Sequence, residues 1–422
     1  MHVPCKSKAS FHSQPSYRSS SKSLRPTLRP SSVQLPPLHE RPYPRHSLPP
    51  DTKPNQQRRW GKTTRGRCTP GDVLRLMDAL GLPVHSDIYA SLLNDCTVSR
   101  DADSTAELHA HIERGGLRLG MNLANRLLLA LVACGLMDCA RQLFEGMPIR
   151  DFISWTTLIA GYSHHDDPFY NEEALRLFVK MLHRSVALVI ITGGGFVVVN
   201  VLRACISLDR FEFGEQVHGW ALKLGFATGN LYVGCSLIDF YGRFQCMESS
   251  KRVFNDIRSG CRDTVVWTAM LAALCRGACF LDTVEVFKEM GRAGKRMNSF
   301  TFSSVLRACG WVGDNARSGR QVHCTAIKVG FELDEFVRSS LVSMYGRCGL
   351  VGDARKAFEA LGRRDASCWN AMLSFYARLQ HGCCIEAIQF LYEMKAAGVE
   401  PQESLLNDIR LACVNVEAIP QH

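Results

Sequence analysis

The chain has 422 residues, of which 46% are hydrophobic and 21% are charged, and its formal net charge is +10. This length and apolar content are sufficient for a large folded core. No uninterrupted apolar run reaches the roughly 20 residues that a membrane helix needs. The most apolar segment, residues 185–202, contains three consecutive glycines at 193–195, so we expect no membrane partner.

The positive charge is concentrated in the first 67 residues. They hold 14 Lys and Arg residues against two acidic residues, whereas the remaining 355 residues hold 36 basic and 38 acidic residues. They also hold 11 of the 17 prolines and no acidic residue before Glu40. This composition predicts a disordered leader and organelle transit peptide over residues 1–67. Its serine and proline content favours the chloroplast, with the mitochondrion as the alternative; a basic RNA-binding arm is the other interpretation of this segment.

After the leader, the sequence repeats itself. The segment FVVVNVLRAC at 196–205 returns as FTFSSVLRAC at 300–309, and GEQVHGWALKLGF at 214–226 returns as GRQVHCTAIKVGF at 319–331. The matching cysteines are Cys96, Cys205, Cys309 and Cys413, with spacings of 109, 104 and 104 residues. Such a period is typical of a solenoid, in which each unit buries its apolar face against its neighbours.

Each block divides into three units with two helical patterns apiece. In the segment after Asp263, both TVVWTAMLAALCR and DTVEVFKEMGRAGK carry apolar residues at helical spacing, and Gly294 marks the end of the second helix. In an earlier unit, we expect Asn171 to cap the second helix, with Glu172 and Glu173 in its first turn.

These blocks closely resemble the pentatricopeptide (PPR) repeats of plant proteins of the mixed-repeat class, in which long, short and standard units alternate. A partial unit at 68–85 is followed by nine units over 86–402 and by a partial unit and C-terminus at 403–422. Long units span 86–120, 195–230 and 299–334; short units span 121–151, 231–263 and 335–365; standard units span 152–194, 264–298 and 366–402. The glycine-rich stretch 187–195 lies where the first standard unit meets the next long unit, and it is an insertion at the junction, an altered gene product or a local loop. The standard units begin RDFISWTTLIAGY, RDTVVWTAMLAAL and RDASCWNAMLSFY, counting the preceding Arg-Asp.

The resemblance implies an all-α fold, a right-handed α-solenoid, that reads single-stranded RNA one base per unit. In the family, the residue after the first-helix anchor pairs with the last residue of its unit to read a base edge. Carried over, the pairs are Asn125 with Asp151, Cys235 with Asp263, Thr268 with Asn298, Ser339 with Asp365, and Asn370 with Gln402, and Thr156 stands without an assigned partner. They imply U for Asn125 with Asp151, A for Thr268 with Asn298 and G for Ser339 with Asp365. They also imply a purine at Thr156 and a weak pyrimidine at Asn370, and the pair of Cys235 is non-standard. Each such residue alone also suits a helix cap or a solvated side chain, and the long units, with Ala90, Val199 and Ser303, receive no base.

Other conspicuous residues favour structural roles. The 18 cysteines contain no C-x-x-C, so we expect the repeated cysteines to pack between helices and no metal to be bound. The repeated His109, His218 and His323 are too far apart along a solenoid to converge, which favours packing or capping. Trp155, Trp267 and Trp369, one in each standard unit, are interpreted as core anchors in preference to base-stacking platforms.

No catalytic pattern is present. A zinc deaminase needs an H-x-E segment together with C-x-x-C, and a phosphate loop needs G-x-x-x-x-G-K-[ST]; the chain has no C-x-x-C and no such loop, so we expect no enzyme activity and no cofactor. The resemblance implies a site-recognition factor for cytidine-to-uridine editing, with a deaminase supplied as a separate partner. RNA splicing or stabilisation is the alternative process, and a protein-interaction scaffold is the alternative of another class.

Overall fold

Helices follow one another in pairs along the chain. The computed structural model describes residues 68–184, 194–362, 364–378 and 384–414, all of them within the unit Pro50–His422. The predicted leader at 1–67 and most of the glycine-containing insertion lie outside the described residues. Within the described residues there is no β-strand.

The helix bounds follow the repeat. The partial unit and the first block hold α1 (Pro70–Ala79), α2 (Ser86–Ser99), α3 (Ala102–Arg114), α4 (Met121–Ala133), α5 (Met137–Gly146), α6 (Phe152–Ser163) and α7 (Pro168–His183). The second block holds α8 (Gly194–Ser207), α9 (Phe211–Lys223), α10 (Phe226–Gly229), α11 (Leu231–Arg243), α12 (Met247–Asp256), α13 (Thr264–Arg276) and α14 (Phe280–Arg292). The third holds α15 (Ser299–Val312), α16 (Arg317–Val329), α17 (Glu335–Arg347), α18 (Val351–Glu359), α19 (Ala366–Arg378) and α20 (Cys384–Ala396), and α21 (Glu403–Val414) follows it.

The first helix of each unit packs against the first helix of the next. These first helices are α2, α4, α6, α8, α11, α13, α15, α17, α19 and α21, and every consecutive pair among them is in contact. The second helices fold back between them, as expected when a unit buries its apolar face only against its neighbours. The all-α solenoid predicted from the repeats is confirmed. No helix in the described ranges is both long enough and apolar enough to cross a bilayer.

The repeated cysteines pack in the core. Cys96, Cys205 and Cys309 have no exposed surface, as predicted, whereas the side chain of Cys413 lies outside the described residues. Burial raises the pKa of the Cys205 and Cys309 thiols to about 12. A thiol with so high a pKa stays protonated at neutral pH and is not a nucleophile.

The repeated tryptophans are core anchors, as predicted. Trp155, Trp267 and Trp369 are each 3% exposed. Each indole meets a phenylalanine of the preceding short unit edge to face, at ring-centroid distances of 4.9 Å for Phe144, 5.0 Å for Phe254 and 4.8 Å for Phe358. Edge-to-face pairs add about 0.5–1.5 kcal/mol beyond the area they bury. The short-to-standard junction is therefore held by the same aromatic pair in each block.

The repeated histidines also pack. The Nδ1 atoms of His218 and His323 each lie 2.8 Å from a tyrosine hydroxyl of the next unit, Tyr241 and Tyr345 respectively. Burial lowers the pKa of both imidazoles. His109 is buried as well. Among the described residues, no group of three His, Cys, Asp or Glu side chains is arranged to hold a metal ion.

One predicted cap is wrong. Asp167, not Asn171, caps α7: its carboxylate accepts from the Phe169 N–H at 2.9 Å, and Pro168 occupies the first helical position. Asn171 is fully buried inside the helix, where its amide donates to the His165 carbonyl at 2.8 Å. The Asp-Pro dipeptide is the stronger start signal, because proline at the first position has no N–H to leave unpaired.

Helical glycines divide into two kinds that predict opposite effects of alanine. A Cβ atom added to Gly346 in α17 would overlap the ring of Phe375, whereas one added to Gly219 in α9 would meet nothing within 4 Å. We expect Gly346→Ala to destabilise the protein by about 1–3 kcal/mol through overpacking. We expect the matched control, Gly219→Ala, to stabilise it by about 0.5–1 kcal/mol through helix propensity.

Urea unfolding of the two variants checks this prediction. Shifts of the same sign for both substitutions would contradict it, because propensity alone would make both variants more stable.

Candidate nucleic-acid interface

The row of first helices borders an open cavity of about 680 Å³. It is lined from four consecutive first helices, α6, α8, α11 and α13. Within α8 and α11, the fifth, ninth and thirteenth residues of the unit all line it: Val199, Arg203 and Ser207, and Cys235, Asp239 and Arg243. The fifth position, to which the resemblance assigns base reading, therefore faces a concave surface at these two units.

One predicted reading pair is joined directly. Asn125 Nδ2 donates to Asp151 Oδ2 at 2.9 Å, although the two residues are 26 positions apart. Because an ionised carboxylate only accepts, this contact fixes which end of the amide is the donor. Asn125 Oδ1 is buried and has no hydrogen-bond partner in the described part of the chain. An unpaired buried acceptor costs about 1–3 kcal/mol, and a donor from a ligand would relieve that cost.

The last residue of each of four predicted reading units caps the first helix of the next unit. The backbone N–H three residues onward donates to Asp151 at 2.8 Å, to Asp263 at 3.0 Å, to Asn298 at 2.9 Å and to Asp365 at 2.9 Å. In each case the acceptor is Oδ1, so the second polar atom of the side chain is not used by the cap. Capping and base reading are therefore compatible, because they use different atoms of one side chain.

The remaining reading positions are less uniform. The hydroxyls of Thr156 and Thr268 donate to carbonyls of their own helices, at 3.0 Å to Ile153 and 2.9 Å to Thr264. This leaves the lone pairs of each hydroxyl as acceptors. The Ser339 hydroxyl accepts from the Cys368 thiol at 3.1 Å.

The pairs of Cys235 with Asp263 and of Asn370 with Gln402 differ in burial. Burial and the nearby Asp263 carboxylate raise the pKa of the Cys235 thiol to about 11, so this position offers a weak S–H donor and no thiolate. Asn370 Oδ1 is buried without a hydrogen-bond partner among the described residues, like the equivalent atom of Asn125. Gln402 is exposed, and its main-chain carbonyl accepts from Leu405 and Leu406.

Arginines recur at the thirteenth position of the short and standard units of the second and third blocks, where the family resemblance assigned no role. They are Arg243, Arg276, Arg347 and Arg378. Asp239 pairs with the first two, at 3.0 Å to Arg243 Nε and 2.5 Å to Arg276 Nη2. One carboxylate thus neutralises part of the charge of two arginines from neighbouring units.

In the last block, the arginines on the first helices are not neutralised by any carboxylate that the structure describes. Within the described ranges, no carboxylate forms an ion pair with Arg307, Arg347 or Arg378. Burial, and then the positive charges of Arg378 and Arg307, lower the pKa of Arg347. Its guanidinium lies 4.2 Å from the ring centroid of Trp311, which fixes its orientation. Three nearby cations without a counter-charge form a surface that favours a polyanion.

Comparison with known proteins decides the family. The chain matches the PPR repeat family over residues 262–310 and the PPR repeat over 153–186 and 367–399. It is 41% identical over 352 residues to the Arabidopsis thaliana pentatricopeptide repeat-containing protein At1g31790, covering 82% of this chain and 83% of that protein. The chain belongs to the pentatricopeptide-repeat family.

Other PPR proteins are similar over much of this chain. This chain is 36% identical to the mitochondrial protein At3g24000 of the same plant. The match covers 76% of this chain but only 49% of that relative. Other relatives carry chloroplastic names. In fold, it is similar to PPR10 in complex with an 18-nt psaJ RNA element, with a TM-score of 0.61, 15% identity, and coverage of 81% of this chain and 49% of that one.

Proposed function

We propose that this PPR protein binds single-stranded organelle RNA in the groove of its first helices and selects bases at the fifth and last residues of its units. The observation that carries the proposal is the hydrogen bond between Asn125 and Asp151, with one Asp151 oxygen used as a cap and the other as an orienting acceptor. The similarity to PPR10, which is bound to RNA, supports it.

The chemistry of the Asn125 pair suits a uracil edge. With one amide hydrogen held by Asp151, the side chain offers a second N–H and a carbonyl oxygen as a donor and an acceptor side by side. Uracil presents an N–H donor flanked by carbonyl acceptors, so its edge is complementary to these two groups of Asn125. The assignments of A to Thr268 with Asn298 and of G to Ser339 with Asp365 rest on the family resemblance.

The arginines at the thirteenth position supply affinity irrespective of sequence. A strand that passes the fifth positions places its phosphates near this register, where Arg347 and Arg378 carry charge unshared with any described carboxylate. Replacing both by glutamine is expected to weaken binding to all RNA sequences alike. The salt slope should fall by about 0.7 for each phosphate that is no longer neutralised.

Titration of fluorescent single-stranded RNA with the purified protein at several salt concentrations measures both quantities. Lys356→Gln, a substitution on α18 outside the row of first helices, is the matched charge control. An unchanged salt slope in the double arginine variant would contradict the assignment of the phosphate register. No binding of any single-stranded RNA by the wild-type protein would leave a protein-interaction scaffold as the function.

We assign the process to cytidine-to-uridine editing in the chloroplast, with a deaminase supplied as a separate partner. The order of long, short and standard units supports editing, and the acid-poor, serine- and proline-rich leader supports chloroplast import. Sequencing chloroplast and mitochondrial RNA from plants that lack the protein tests this assignment. Loss of specific conversions is expected, whereas retained introns or shortened transcripts with normal editing would favour splicing or stabilisation.

A further inference from the structure

Three arginines precede the last residue of the three short units. Arg150, Arg262 and Arg364 come directly before Asp151, Asp263 and Asp365. Each guanidinium lies over a phenylalanine of its own short unit, at 5.2 Å from the Phe144 centroid, 4.2 Å from that of Phe254 and 4.9 Å from that of Phe358. These phenylalanines are the ones that meet the repeated tryptophans, so the arginines sit on the rigid core of the short-to-standard junction.

The same three side chains also bond to the main chain of the preceding helix end. Arg150 Nε donates to the Phe144 carbonyl at 2.7 Å, Arg262 Nε to the Ile257 carbonyl at 3.0 Å, and Arg364 Nη2 to the Glu359 carbonyl at 3.3 Å. Stacking and hydrogen bonding together tie the residue before the terminal aspartate to the second helix of its unit. We call this arrangement the arginine clamp.

In the unit 121–151, both carboxylate oxygens of the terminal Asp151 are already engaged. The Oδ1 atom of Asp151 is held by the cap of α6, and Oδ2 lies 2.9 Å from Asn125. A change in the backbone direction at Arg150 would break one of these two contacts, because the carboxylate is short and planar. The direction of the oxygen nearest the reading residue therefore depends on the residue before the aspartate.

The clamp is confined to short units. The residues in the corresponding place are Gly193, Met297 and Pro401 in the standard units and Leu119, Gly229 and Leu333 in the long units, none of which carries a charge or a side-chain donor. The terminal Asn298 keeps its cap without a clamp. Capping alone thus does not require an arginine.

We propose that Arg150, Arg262 and Arg364 are positioning residues for base discrimination in the short units. They hold the terminal aspartate of each short unit, and in the unit 121–151 the second oxygen of that aspartate orients the reading residue Asn125; they do not contact the base. This inference rests on the proposed RNA-binding function.

The test uses full-length protein and an RNA selected by it, with all four bases placed in turn opposite the unit 121–151. A good base-edge contact discriminates by about 5- to 150-fold. We expect Arg150→Met to reduce the ratio of dissociation constants between C and U at that base by about fivefold or more. Arg355→Met is the control: its guanidinium also lies over a phenylalanine, 5.7 Å from the Phe390 centroid, but it precedes no terminal residue. It should leave the ratio unchanged.

A merely structural role has a different signature. If Arg150→Met weakens binding to all four RNAs equally and leaves the ratio as in the wild type, the proposal is overturned, whatever the melting temperature does. Arg150→Lys, which keeps the charge but loses the planar fork, carries the same test if the methionine variant does not fold. A wild-type protein that binds all four RNAs equally would instead overturn base reading itself, and this inference with it.

Discussion

Trp267→Ala is expected to destabilise the repeats around α13 by about 3–5 kcal/mol, the cost of removing a large buried aromatic side chain. Trp267 is 3% exposed and meets Phe254 edge to face at a centroid distance of 5.0 Å. Because coupling in a solenoid runs between neighbouring units, the loss of hydrogen-exchange protection should be centred on α12 to α16. Protection in α4 should change far less.

Trp267→Phe is the matched control for this substitution. The indole Nε1 is buried without a hydrogen-bond partner in the described structure, so phenylalanine removes an unpaired donor while it keeps an aromatic ring. We expect a smaller loss of stability than for alanine, since less volume is removed. Unchanged hydrogen exchange over residues 264–334 in Trp267→Ala would contradict the assignment of this residue as the junction anchor.

Asn298→Asp is expected to move the preference at one base from A toward G without loss of stability. Aspartate is as good an N-cap as asparagine, so the 2.9 Å contact from the Thr301 N–H to Oδ1 is retained. The second atom changes from an amide that donates to a carboxylate oxygen that only accepts. The discrimination at stake is about 1–3 kcal/mol.

Titration against four RNAs that differ only at the base opposite the unit 264–298 measures the change. Asp334→Asn is the control, because Asp334 caps α17 in the same way, with the Val337 N–H at 3.0 Å, but ends a long unit to which no base is assigned. An unchanged preference in Asn298→Asp, or an equal change in Asp334→Asn, would remove the assignment of the last residue to base reading.

The fold was predictable because the repeat fixes the register of the whole chain. Once the matching cysteines align, apolar residues at helical spacing identify both helices of each unit, and positions such as Trp267 and Cys309 fall in the core. Local signals were less reliable where two competed. Asn171 and Asp167 both suit a helix start, and the proline after Asp167 decides between them in the structure.

The candidate site was only partly predictable, because several of its contacts join residues far apart in the chain. The sequence indicated which residues share a register, but not that Asp239 pairs with Arg276 across 37 residues. Nor does it show that an arginine stacks on Phe254 and bonds to a helix end. The Arg-Asp dipeptide before each standard unit was the available signal, and only the aspartate was assigned a role.

The most direct test of the central claim is selection of bound sequences from a pool of random single-stranded RNA by the full-length protein. With the units parallel to the RNA, as the family resemblance implies, sequence-selective reading from residue 121 onward predicts enrichment, from 5′ to 3′, of U, purine, any base, an unassigned base, A, any base, G and a weak pyrimidine. A bound pool without any enriched base at these relative positions would contradict the claim.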